Sequence, residues 1–284
     1  MNSSLCQLDA NYLHRLNSNM KNTNPSELLK TAIKAVKLSA NHAMDNLSRR
    51  KEALTSDEYD IKLVLDVECQ EIIQKSIHEI YPEHGILGEE GSSLSITNPY
   101  EWIIDPIDGT VNFSHGFPYW CSSVAVKYNN KVVAGAVYAP EIDELFYTSA
   151  SEAAYCNNDI ITVNDNKNIE TSMILTGMNK HRIYNENPPF TAISKIAKEV
   201  RKVRIAGAAA LDICQIAAGR CDAFVEYGLY IWDYAAAGLI AQRAGAFFTE
   251  CPDPLVPHRS AVFCSNQQIK DSLIPLWKEE MPYE

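Results

Sequence analysis

The chain has 284 residues, 46% of them apolar, which is enough for one large core or two smaller ones. Thirty-six acids against 25 bases leave a formal charge of −11. So acidic a surface lacks the positive patch that nucleic acid or an anionic membrane needs, so we expect neither as a partner.

Eight cysteines form no CxxC pair and lie in apolar runs, the pattern of reduced, buried thiols. The opening residues "MNSSLCQLDANYLHRL" lack a basic region followed by an apolar stretch, so no secretory signal is expected. No window approaches ~18 uninterrupted apolar residues, so no membrane span is expected either. The expectation is a cytoplasmic α/β protein.

Residues 24–46 open with Pro25 and carry an apolar stripe at helical spacing through Leu28, Leu29, Ala32, Ile33 and Val36. Residues 47–60, "LSRRKEALTSDEYD", are charged and aperiodic and read as a mobile loop. "IKLVLD" (61–66) reads as a strand ending at Asp66, followed by a helix that stops near Pro82. "GILGEEGSS" (85–93) reads as a short strand running into a turn. "EWIID" (101–105) is a strand, and Asn129-Asn130 separates two more as a two-residue hairpin turn. "ELFYTS" (144–149) and "EAAYC" (152–156) continue a meander.

The second half alternates strand and helix, with helices closed by Gly219 and Gly245, and ends in a helix over 266–280. An antiparallel half followed by an alternating half predicts two subdomains, 1–150 and 151–284.

Four acidic positions share one trait: Glu89 with Glu90, Asp105, Asp108 and Asp233 each follow the end of an expected strand. Strand ends are where open α/β sheets bind ligands, and clustered acids repel unless a cation joins them. Carboxylates without His or Cys favour Mg²⁺, or Mn²⁺ in its place, over Zn²⁺. "DPIDGT" (105–110) can add the Ile107 carbonyl as a ligand, and Gly109 and Thr110 offer backbone N–H groups to a phosphate oxygen.

"DPIDGT" looks like the DxDGT of haloacid-dehalogenase-like phosphatases, whose first Asp is the nucleophile. Aligned on Asp108, the nucleophile's place falls on Pro106, which cannot attack phosphorus, so a covalent aspartyl phosphate is not expected.

The chain resembles the inositol monophosphatase family of lithium-sensitive, magnesium-dependent phosphatases. "GEEG" (88–91), "WIIDPIDGTVNF" (102–113), "GAAALDICQIAAGRCDAFVEYG" (207–228) and "WDYAAAGLIAQRAGA" (232–246) carry the likeness in order. The resemblance implies an α+β fold, a five-layer αβαβα sandwich, usually as a homodimer. It implies two or three Mg²⁺ ions held by Glu89, Asp105, Asp108, Asp233 and the Ile107 carbonyl. It implies a phosphate ester hydrolysed by activated water, with Thr110 and Asp66 handling that water and Glu89 acting beside them. Asp66 also supports a third, weaker metal. Glu226 and Ala209 fall where the family lines its pocket for a sugar or inositol hydroxyl; Gly109, Thr110 and Asp233 complete the substrate contacts.

The favoured substrate is inositol monophosphate. Fructose 1,6-bisphosphate, 3′-phosphoadenosine 5′-phosphate and histidinol phosphate are alternatives in the same superfamily, and a non-catalytic regulatory relative is the contrasting class. The segment 175–185, "LTGMNKHRIYN", and "IKLVLD" depart from the usual family forms and bear on the substrate. Arg220 reads as a helix-terminal cation that can also reach a second phosphate. Lys62 reads as a surface residue, His115 as a loop residue and Trp102 and Trp232 as packing. Glu90 either holds water near the metals or is solvated.

Overall fold

The structure is a computed structural model and describes residues 24–56, 61–93, 98–178 and 190–278. Helix α1 (Pro25–Asp45) starts on Asn24, whose side chain accepts the Ser26 N–H at 3.0 Å, and its proline needs no partner in the first turn. Strands β1 (Ala53–Ser56) and β2 (Ile61–Leu63) pair as an antiparallel ribbon, and helix α2 (Val64–His78) follows directly.

An eight-stranded sheet comes next. It holds β3 (Gly85–Gly88), β4 (Gly91–Ser93), β5 (Tyr100–Asp108), β6 (Cys121–Tyr128), β7 (Lys131–Ala139), β8 (Glu144–Ser149), β9 (Tyr155–Cys156) and β10 (Asp159–Ile160), in the order β10-β9-β8-β7-β6-β5-β3-β4. A short helix, α3 (Thr110–His115), leaves the end of β5. The β6–β7 turn has Asn129 at φ 49° and Asn130 at φ 62°, the paired left-handed geometry expected of a tight hairpin.

The second sheet holds β11 (Met173–Thr176), β12 (Lys202–Arg204), β13 (Ala223–Tyr230), β14 (Phe247–Pro252) and β15 (Arg259–Ser265), in the order β12-β11-β13-β15-β14. Helices α4 (Phe190–Glu199), α5 (Ala209–Ala217), α6 (Ile231–Arg243) and α7 (Lys270–Lys278) accompany it.

Three apolar clusters set the layers. Leu28, Ala32, Val36 and Ile73 of α1 and α2 pack on Trp102, Ile104, Val124 and Val133 of the large sheet. Ile213, Ile216, Ala236 and Ile240 of α5 and α6 fill the space between the two sheets, against Ile103, Val137, Phe224 and Val262. Ala192, Ile196, Leu273 and Trp277 of α4 and α7 cover the outer face of the small sheet. Full burial of each such Leu, Ile or Phe contributes about 1.5–3 kcal/mol. The result is the expected αβαβα sandwich. Helix α6 lies close enough to β7 that a Cβ on Gly135 would stand 2.9 Å from the Ala236 Cα, so small residues on both sides set the layer spacing.

Local structure departs from the sequence reading in five places. Asp66 ends no strand: β2 stops at Leu63, and the Leu63 N–H is accepted by Asp66 Oδ2 at 2.8 Å, so the acid closes the first turn of α2. Asp105 lies inside β5, whose pairing with β6 is broken by a bulge between Asp105 and Asp108. The large sheet is not wholly antiparallel, because β3 runs parallel to β5. The 47–60 segment contains a 3₁₀ turn (Leu47–Arg49) and β1, with 57–60 outside the described residues. His115 is the last residue of α3, not a loop residue.

Candidate active site

The acids converge from four elements. Asp105 and Asp108 come from the bulged end of β5, and Glu89 from the turn after β3. Asp66 and Asp233 come from the first turns of α2 and α6. These two helices use one device twice. Asp233 Oδ2 accepts the Tyr230 N–H at 2.7 Å, as Asp66 Oδ2 accepts that of Leu63, so each carboxylate is aimed by its own helix start.

The bulge is held from beneath. The Pro106 carbonyl accepts from Ser122 Oγ at 2.5 Å and Ser39 Oγ at 3.3 Å, and both hydroxyls are fully buried. Gly109 then turns at φ 92°, a left-handed conformation that spares a Cβ, and starts α3. Thr110 Oγ1 donates to the Ile107 carbonyl at 3.0 Å. Its single proton is thus committed in this arrangement, while its oxygen keeps lone pairs that can accept.

Asp108 is tied across the layers. Its Oδ1 accepts the Ala209 N–H at 3.1 Å and its Oδ2 the Ala210 N–H at 2.7 Å, so it caps α5. The Cys121 thiol donates to the same Oδ2 at 3.5 Å. Ala209, which falls in the segment expected to line the substrate pocket, gives its N–H to Asp108. Asn112 staples the adjoining loop by donating to the Ala206 carbonyl at 2.8 Å.

Glu226 is buried on β13, with its carboxyl lying where a side chain on Gly177 would have to go. Asp212, which the sequence reading passed over, is buried nearby and accepts from Tyr119 Oη at 2.7 Å. Nothing local marks the Tyr119–Asp212 pair, whose partners lie 93 residues apart.

The electrostatics are uniformly unfavourable to more negative charge. Burial, then Glu89, Asp108 and Asp233, hold Asp105 well above the carboxylate range. Burial pushes Asp108 up to about 6, although the Ala210 N–H opposes it. Glu89 is exposed as a residue, yet protein atoms crowd its carboxyl. That crowding, then Asp233, Asp66 and Glu90, raises it well above its usual value. Burial, then Asp212, Asp233 and Asp108, raises Glu226, and burial pushes Asp212 up to about 8.

The donor set suits a hard cation, being all oxygen. Asp105 Oδ1 is buried with no hydrogen-bond partner among the described residues. Among those residues, no group of three or more His, Cys, Asp or Glu side chains is gathered closely enough to hold a metal as placed. The acids therefore fit a cation by donor chemistry and by the repulsion it would relieve, with closure left to side-chain movement.

Neighbouring expectations resolve unevenly. Lys62 forms an ion pair with Glu90, so neither is merely solvated. Arg220 is held by Glu144 and Gln215 rather than kept ready for a phosphate. Trp102 is a packing residue, fully buried with its Nε1–H given to His84 Nδ1 at 3.0 Å. Trp232 stacks on Tyr230 with centroids 4.8 Å apart. Of the 175–185 segment, residues 179–185 lie outside the described residues. No helix among those described is long and apolar enough to cross a membrane.

Known proteins share this fold. The profile of the Inositol monophosphatase family matches residues 24–281. The chain is 33% identical to an inositol monophosphatase of Dictyostelium discoideum over 269 residues, covering 92% of this chain and 98% of that one. It is 35% identical to a Nus factor SuhB of Vibrio cholerae, covering 78% and 85%. The solved inositol monophosphatase of Anabaena superposes with a TM-score of 0.80 at 27% identity, covering 92% and 98%. A five-layer sandwich whose acids meet at the end of a bulged strand, matched along nearly its whole length, belongs to the inositol monophosphatase family.

Proposed function

We propose that the protein is a Mg²⁺-dependent phosphomonoesterase acting on a small polyol phosphate, with inositol monophosphate favoured. The observation that carries this reading is the unpartnered oxygen of Asp105 within a set of mutually repelling acids, in a chain of this family. Glu89, Asp105, Asp108, Asp233 and the Ile107 carbonyl would hold the ions, with Asp66 beside them. Bound Mg²⁺ supplies charge neutralisation for the phosphate and makes a nearby water more acidic. Thr110 would turn its hydroxyl from the Ile107 carbonyl to Asp66, give its own proton to that carboxylate, and take the water's proton at Oγ1 in exchange. The Gly109 and Thr110 N–H groups face the phosphate, and the Glu226 carboxyl receives a substrate hydroxyl.

We further place the protein in the cytoplasm as a homodimer of two-subdomain chains. The test is a phosphate-release panel of inositol, sugar and nucleotide monophosphates with Mg²⁺, with and without Li⁺. Release from inositol monophosphate that Li⁺ suppresses is expected. No release from any ester would favour a binding or regulatory role, a reading kept open because several relatives carry the name Nus factor SuhB.

A further inference from the structure

Glu89 reaches the acid cluster from a four-residue turn, Gly88 to Gly91, between β3 and β4, in which Glu89 and Gly91 are exposed and Gly88 is buried. Here it is gripped by one side chain. Gln70 is buried on α2, one turn beyond Asp66 and on the same face. Its Oε1 accepts the Glu90 N–H at 3.0 Å, and its Nε2 donates to the Gly91 carbonyl at 3.0 Å. The carboxamide lies flat on Gly88, where any Cβ would overlap it. Lys62, just before the same helix, holds Glu90 by its side chain. The Glu89 N–H is given to the Ile104 carbonyl at 3.2 Å, next to Asp105.

We propose that Gln70 is a positioning residue that holds the Glu89 turn at a set distance from Asp105 and Asp66, and so sets the affinity for the cation. The inference rests on the metal-dependent reading above. An amide suits the task chemically. It offers one donor and one acceptor to two backbone groups, and it adds no charge beside acids that already repel one another. One helix then carries both Asp66 and the grip on Glu89, so the two acids move together. Groups that orient metal ligands typically change affinity by about 10–100-fold when lost.

The test is calorimetric titration of the full chain with MgCl₂, comparing the wild type with Gln70→Met. Met keeps the length and apolar stem, and the freed groups of Glu90 and Gly91 lie near enough to solvent for water to replace the amide. We expect Mg²⁺ affinity to fall about 10–100-fold. Phosphate release at saturating Mg²⁺ should stay within a few-fold of wild type. A merely structural Gln70 would lower the melting temperature and leave Mg²⁺ affinity alone, which overturns the proposal. If Gln70→Met does not fold, amide hydrogen exchange of the metal-free wild type decides. Protection at Glu90 supports the grip, and free-peptide exchange there overturns it. A wild type that neither binds Mg²⁺ nor releases phosphate removes the proposed function itself, an outcome distinct from a variant that matches a binding wild type.

Discussion

Asp105 and Asp253 are both buried aspartates, at 2% and 8% exposure, and their surroundings are opposite. Asp253 sits in the β14–β15 connection with Arg259, itself 2% exposed. It accepts from Arg259 Nε at 2.7 Å and from the Leu255 N–H at 2.8 Å. Burial pushes its pKa up, but the Leu255 N–H and the guanidinium outweigh that, and the net shift is downward. Asp105 has acids for neighbours and an oxygen with no hydrogen-bond partner among the described residues, and its pKa rises. A carboxylate answered by its own chain belongs to the architecture; one left unanswered points to something the chain must bind.

The widest separation should come from activity. Asp105→Asn and Asp233→Asn are each expected to cut phosphate release at saturating Mg²⁺ by at least about 10²–10³-fold, the scale of losing one charge-stabilising group. Circular dichroism should stay unchanged, and normal turnover in either variant would sink the metal assignment. On the other side of the comparison, Asp253→Asn leaves the Arg259 guanidinium buried without its counter-charge. Breaking such a pair costs about 3–5 kcal/mol. Denaturant unfolding equal to wild type would show that the pair is not structural.

Stability without metal sharpens the contrast, with a smaller effect. A carboxyl whose folded pKa is raised favours the folded state only while protonated. Metal-free stability should therefore fall as pH rises from the ordinary carboxylate range through the raised values, which for Asp108 is about 6. Asp105→Asn removes one repelling charge and should stabilise the metal-free protein at pH 8 by about 0.5–2 kcal/mol. A destabilised variant would mean that Asp105 is already satisfied. The smallest effect concerns His84, a base held neutral on the far side of β5. Burial lowers its pKa from 6.5 to about 4. The unfolded chain binds the extra proton first, so stability is lost as pH falls from 6.5 toward 4. His84→Gln keeps an acceptor for Trp102 and should flatten that loss, seen as melting curves at pH 7 and 5 differing by a few degrees less, at roughly 2–4 °C per kcal/mol.

The acids of the site were readable because they are local. Asp105, Ile107, Asp108 and Thr110 lie within six consecutive residues, and Glu89 and Asp233 sit in short runs with recognisable neighbours. The elements were readable from the helical stripes and alternating strands, while the five layers came only as what the family resemblance implies. Errors arose where a side chain overrode propensity. "IKLVLD" is rich in strand formers, yet Asp66 accepts its own N-cap N–H and starts a helix three residues earlier. Lys62 read as a surface residue and Glu90 as either a holder of water or solvated, because each was judged alone, and they are partners.

The sequence by itself determined the chemistry on offer: oxygen donors without His or Cys, a proline where a covalent nucleophile would stand, and apolar periods that demand layered burial. Only the tertiary structure decided which groups answer which. Ser39 meets Ser122 across 83 residues, Tyr119 meets Asp212 across 93, and Asp108 caps a helix 101 residues away. These pairings carry no local signal, because a hydrogen bond depends on distance in space and on what burial has removed from water. That same burial leaves one oxygen of Asp105 without a hydrogen-bond partner among the described residues.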